Sequence, residues 1–109
     1  MAVNTIIDAE MMDGSIVKMT LNFKNLYLLR NKDKKTYDEY MKISNKGAQD
    51  EMEVAMMLYA AYKCGNIDQE CMPFEDFLEI LPVNREELSD IVIRLQPKKK
   101  EILQKPLEG

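Results

Sequence analysis

Apolar positions in the first twenty residues fall into two short runs either side of a turn signal. Val3, Ile6 and Ile7 precede Asp13-Gly14, and Ile16-Val17-Lys18-Met19-Thr20-Leu21 follow it. Asp-Gly favours a tight turn because both positions reach positive φ, so residues 2–21 are predicted to form a β-hairpin. Val17, Met19 and Leu21 alternate with Ile16, Lys18 and Thr20, which makes one strand face the more apolar. A lone hairpin is marginal in water and must pack on something.

Beyond Leu21 the period lengthens to that of a helix. A first helix begins near Asn22, with Phe23, Leu26 and Leu29 at three-residue spacing. The charged stretch Asn31-Lys32-Asp33-Lys34-Lys35 bends it or connects it to a second helix carrying Tyr37, Tyr40, Met41 and Ser44. Gly47 suits the position just past that helix's end. A third helix starts near Asp50, where Asp50 and Glu51 favour the positive end of the helix dipole, and Gly65 is expected to close it. Between them Val54, Ala55, Met56, Met57, Leu58, Tyr59, Ala60, Ala61 and Tyr62 make it apolar nearly all round. Such a helix is either central to the fold or shared with a partner.

Pro73 then sits where the first turn of a helix tolerates it, and Phe74, Phe77, Leu78 and Leu81 follow at helical spacing. Pro82 stops that helix. Asn84, with Glu87 three residues on, forms a capping arrangement for a last helix through Leu88, Ile91, Val92 and Leu95, ending before Pro97. The predicted fold is mainly α: one small helical domain over residues 1–96, with four to five helices and an N-terminal β-hairpin. Residues 97–109 form a charged C-terminal tail too short to own a core.

Composition narrows the function classes. The 109 residues fit one domain, and 15 basic against 19 acidic side chains give a net charge of −4. That balance argues against a nucleic-acid footprint, which needs a concentrated basic face. There is no histidine, which excludes His-based acid–base catalysis and His-containing zinc sites. Cys64 and Cys71 are too few for a disulfide scaffold and fit two reduced thiols better than one bridge. The start lacks a basic stretch followed by an apolar one, and the apolar run Val54 to Tyr62 is far short of the roughly 20 residues that span a bilayer. The chain is therefore expected to be soluble and cytoplasmic, with no membrane partner.

No chemistry-bearing pattern outweighs its plain structural explanation. Asn66 to Glu70 has oxygen ligands at alternating positions, but a calcium loop's glycine is replaced by Cys71 and its bidentate glutamate by Phe77. Glu75-Asp76 and Glu86-Glu87 are adjacent pairs, and neighbours on a helix point about 100° apart rather than at one another. Cys64 lacks a histidine to activate it. No glycine-rich phosphate loop is present. No catalytic residue, cofactor site or metal site is predicted, and the chain is read as not an enzyme. The nine methionines are the unusual feature, since Met suits both the irregular gaps of a small core and surfaces that adapt to partners.

The succession of the Asp-Gly turn, Leu21-Asn22-Phe23-Lys24-Asn25-Leu26-Tyr27-Leu28-Leu29-Arg30, Tyr37-Asp38-Glu39-Tyr40-Met41-Lys42-Ile43 with Lys46-Gly47, Tyr59-Ala60-Ala61-Tyr62, and Met72-Pro73-Phe74-Glu75-Asp76-Phe77-Leu78 resembles the tail assembly chaperones of long-tailed, siphovirus-like phages and prophages of Gram-positive bacteria. The resemblance covers roughly residues 8–96. It implies a morphogenesis protein that binds the tape measure protein, keeps it soluble and recruits tail tube subunits to it. It also implies that a programmed frameshift can lengthen the chain near its end, where Lys98-Lys99-Lys100 fits an A-rich slippery stretch. Physically, Met52, Met56, Met57, Leu58, Tyr59 and Tyr62 on the third helix would cover an apolar stripe of that partner by helix-in-groove packing. Self-association follows if that helix is not fully covered in the monomer. The alternative is a small regulator binding nucleic acid through a helix-turn-helix formed by the last two helices. Glu86, Glu87 and Asp90 on its recognition helix would repel phosphates.

Overall fold

The computed structural model describes residues 6–95. Val3 and the whole tail after Gln96 lie outside the described residues. The order of elements is β1 (Ile6–Glu10), β2 (Ile16–Thr20), α1 (Phe23–Lys32), α2 (Lys34–Lys46), α3 (Glu51–Gly65), α4 (Phe74–Ile80) and α5 (Arg85–Leu95). The fold is mainly α with an N-terminal antiparallel hairpin, as the hydrophobic periods require.

The hairpin turn is longer than the two-residue type expected. Strand pairing runs Ile6↔Thr20 to Glu10↔Ile16. Met11 N–H then donates to Ser15 O at 2.8 Å, and Gly14 N–H donates to Met11 O at 3.0 Å. Only Gly14, not Asp13, takes positive φ, at +87°. This is the three-residue loop in which a left-handed glycine follows an ordinary turn. Asp13 Oδ1 secures it by accepting from the Ser15 amide at 3.0 Å and hydroxyl at 2.6 Å. Ala9, Met11, Val17 and Met19 point inward and are buried, whereas Ile6, Asp8, Glu10, Ile16 and Lys18 face solvent.

Both outer edges of this two-stranded sheet are covered at its middle rung. The Arg94 guanidinium of α5 donates to Asp8 O at 2.8 Å, and the Asn66 side chain donates to Lys18 O at 3.1 Å. An unpaired strand edge invites further pairing, and these two side chains blunt it from the two sides.

Helix boundaries follow from side-chain caps. Asn22, Asp33 and Asp50 accept from the backbone N–H three residues on, at 2.9, 3.2 and 2.9 Å, and Asn84 accepts from Glu86 and Glu87. Asp33 serves twice: its N–H closes α1 onto Leu29 O at 2.7 Å while its carboxylate opens α2. The charged stretch is thus a one-residue joint between two helices. Gly47 ends α2 at φ +87°. Pro73 lies one residue before the first turn of α4, as its N-cap.

Gly65 closes α3 as its last residue, with Asn66 as the cap, and space rather than a left-handed turn is what requires glycine there. A Cβ built on Gly65 would stand 2.5 Å from Lys18 O and 2.7 Å from Lys18 C. Glycine is needed there because the backbones of α3 and β2 cross nearly in contact.

α3 is central, which accounts for its all-round apolar surface. One flank joins the inner hairpin face, α4 and α5 in a core containing Met19, Leu58, Ala61, Phe77, Leu88 and Ile91. The other flank joins α1 and α2 around Leu26, Leu29, Tyr40, Ala60 and Cys64. Among the described residues no helix is long and apolar enough to cross a membrane.

Candidate functional site

The six residues expected to meet a partner do not form one surface. Leu58, Tyr59 and Tyr62 are only 1%, 6% and 8% exposed, so they belong to the core and not to an accessible face. Their neighbours give the reason. The Tyr62 ring stacks on Phe77 at 5.2 Å, and Tyr59 meets Phe74 edge-on at 5.1 Å. Both hydroxyls are also used: Tyr59 donates to Met72 O at 2.8 Å, and Met72 N–H donates to the Tyr62 oxygen at 2.9 Å. The tyrosines therefore seat α4 and the segment leading into it. Met52 is exposed and Met56 half-buried, and both border a hollow of mixed lining with Lys42, Lys46, Ile43 and Phe74. Met57 emerges on the opposite flank of α3.

Met57 opens onto the feature with the character of a binding site. α5 turns Leu88, Ile91 and Leu95 into the core, but its apolar stripe is wider than that core covers. Val92 is half-buried and Ile93 is 68% exposed. Two hollows meet at Val92. One, of about 320 Å³, has Leu21, Leu26, Met57 and Leu95 in its walls and Phe23 at its lip. The other, of about 490 Å³, lies between α5 and the start of α3, with Val54, Leu88 and Ile93. The Arg85–Glu51 ion pair bridges the two helices there. Together they make a trough along one flank of α5. Phe23, 88% exposed at the first turn of α1, and Ile93 stand beside it as uncovered apolar side chains.

Sequence reasoning missed Phe23, Val92 and Ile93 as site residues. Phe23 shares the three-residue spacing of Leu26 and Leu29, yet it lies at the first position of α1 and is left exposed. The available signal was Ile93, which falls off the three-and-four spacing of Leu88, Ile91, Val92 and Leu95.

The opposite flank of α5 is polar. Glu10, Glu86, Glu87 and Asp90, with Arg94, line a cleft of about 550 Å³ under the hairpin loop. No group of three or more His, Cys, Asp or Glu among the described residues is placed to hold a metal ion. Where α3 ends, Lys63 Nζ lies 2.5 Å from Asp33 Oδ2, their side chains 19% and 25% exposed. Burial by itself would raise the Asp33 carboxyl. Hydrogen bonds from Lys63 and Thr36 outweigh it and hold the group below its ordinary value. The pair ties the α1–α2 joint to α3. Cys64 and Cys71 are free thiols, and burial pushes Cys64 up to about 12, so it stays protonated and unreactive at neutral pH.

Neither a family model, nor a curated protein, nor a solved structure matches this chain.

Proposed function

We propose that this chain is a phage tail assembly chaperone, and that the trough beside α5 receives an apolar helical stripe of the tape measure protein. The carrying observation is the trough itself: an apolar channel with Phe23 and Ile93 left in water next to it. From Leu88 to Leu95 it follows two turns of α5, about 10 Å. That length accepts apolar side chains at i, i+3 or i+4, and i+7 of a docked helix. Covering a few hundred Å² of apolar surface contributes about 25 cal/mol per Å² before ordering costs offset part of it. Affinity per site is then modest, which suits reversible cover, and several copies along one long client gain by multivalency. The carboxylates on the other flank of α5 favour a protein client over nucleic acid, because they would repel phosphates. On this reading the chain needs no catalytic centre, and recruitment of tail tube subunits follows once the client is held extended.

The test is co-expression with the tape measure protein of the same phage or prophage. The expected result is that the client moves from the insoluble to the soluble fraction with the parent chain. It should stay insoluble with a Phe23→Ser, Ile93→Asp variant whose thermal melt is unchanged. A client left insoluble by the parent chain, or solubilised equally by the variant, overturns the proposal.

A further inference from the structure

We infer that the trough beside α5 is a self-interface: two copies of the chain meet there about a two-fold axis, each placing Phe23 into the other's hollow. The same trough is read above as the client's seat, so a client would displace the second copy; the pairing itself stands whether or not that reading does. Knob and hole lie side by side on one patch. Phe23 stands at the lip of the hollow of about 320 Å³ walled by Leu21, Leu26, Met57 and Val92. At 88% exposure its ring does not fill the hollow it borders. A two-fold interface uses the same patch on both partners, so the knob of one must meet the hole of the other and the reverse. A patch that holds both parts meets that condition without help from any other surface.

Charge points to the same face. Two copies of a chain with net charge −4 repel on average, and the polar flank of α5, with Glu10, Glu86, Glu87 and Asp90, is where they would repel most. Along the trough the ionisable side chains are Asp50, Glu51 and Arg85. Arg85 pairs with Glu51, so one carboxylate per copy is left to oppose contact. Other exposed apolar side chains have no such setting. Ile6 and Ile16 lie at opposite ends of the outer hairpin face with the Asp8–Lys18 ion pair between them, and Met12 borders the acidic cleft. Area sets the strength. A covered aromatic side chain buries about 150–250 Å², so Phe23, Ile93 and the trough walls give on the order of several hundred Å² per copy, short of the about 800 Å² per partner of a stable complex. The dimer is therefore weak, exchanges with monomer, and closes at two.

Sedimentation equilibrium of the full chain, from low micromolar to near-millimolar concentration, tests this without any client. A reversible monomer–dimer equilibrium is expected, not weakened by added salt. Phe23→Ser and Ile93→Asp, both at exposed positions, are each expected to raise the dissociation constant at least tenfold. The photoreactive amino acid p-benzoylphenylalanine at position 23 locates the contact. In a mixture of isotope-labelled and unlabelled chains, irradiation should join the two kinds through the peptide containing Met57 or the one containing Val92. A chain that stays monomeric throughout, species larger than a dimer, a dimer that both substitutions leave unchanged, or cross-links confined to one molecule would overturn the inference. Because no client takes part, these outcomes are separate from failure of the chaperone reading.

Discussion

The close crossing of α3 over β2 gives a stringent test of the packing. Replacing Gly65 by Ala adds one methyl group at a helical position, where alanine is by itself favoured over glycine by up to about 1 kcal/mol. Here the methyl carbon would lie 2.5, 2.7 and 2.9 Å from Lys18 O, Lys18 C and Met19 N. All three are backbone atoms, so no side-chain rotation relieves the overlap. Restoring ordinary contact means parting helix and strand by roughly 0.9 Å, and gaps of that size forfeit a quarter to a half of the dispersion energy of each contact affected. Met19, Ala61 and Cys64, each 0% exposed, and Leu58 at 1% lie in the two cores that α3 separates. The shift also strains the Asn66 hydrogen bond to Lys18 O, a bond of about 1 kcal/mol. Overpacking of this kind typically costs 1–3 kcal/mol, so the net expectation after the helical gain is a loss of about 2 kcal/mol. That is a large part of the ~5–15 kcal/mol that holds a domain together. Urea unfolding should show a lower midpoint with an unchanged slope, and Tm should fall by roughly 10 °C. Gly14→Ala is the control: it has open space but positive φ, and should lose only about 1 kcal/mol. A Gly65→Ala protein as stable as its parent, or more so, would refute the close-crossing argument.

Two further outcomes follow from the same structure. Asp33→Asn keeps an N-cap for α2 but leaves Lys63 without its carboxylate, and should cost about 1–2 kcal/mol at pH 7. Because the Asp33 carboxyl is held below its ordinary 3.8, its contribution is present above that pH and disappears as pH falls through the lower folded value. Parent and variant unfolding midpoints should therefore approach one another as the solution is acidified, and a difference that does not shrink with falling pH would contradict the ion-pair assignment. For the cysteines, a thiol reagent at neutral pH should modify half-buried Cys71 in the native protein and reach Cys64 only on unfolding, because Cys64 is fully buried with its thiol pushed up to about 12; peptide mapping that finds both labelled at the same native rate would count against it.

Local chemistry was legible in the sequence where a residue's own backbone needs decided the structure. Asn84 caps α5 as expected because its short side chain reaches the N–H groups two and three residues on, and Gly47 ends α2 at positive φ; the caps made by Asn22, Asp33 and Asp50 came only with the structure, the sequence marking those places as helix starts or a charged connection. Period two and period 3.6 fixed the hairpin and the helices for the same reason, since each pattern buries only one face of one element. The hairpin loop came out one residue longer than expected because Met11 and Ser15 continue the strand ladder, which a dipeptide signal does not register.

What the sequence could not decide was which apolar faces the other elements would cover. The all-round apolar α3 was equally consistent with burial and with display. Only tertiary packing placed Tyr59 and Tyr62 against Phe77 and left Val92, Ile93 and Phe23 beside an open trough. Gly65 shows the same division. As a letter near the end of a helix it reads as a stop signal, and only the passage of Lys18, forty-seven residues earlier, makes its missing side chain a matter of space. Burial is a property of pairs of elements, and pairing between distant segments is set by shape, which no single stretch of chain contains.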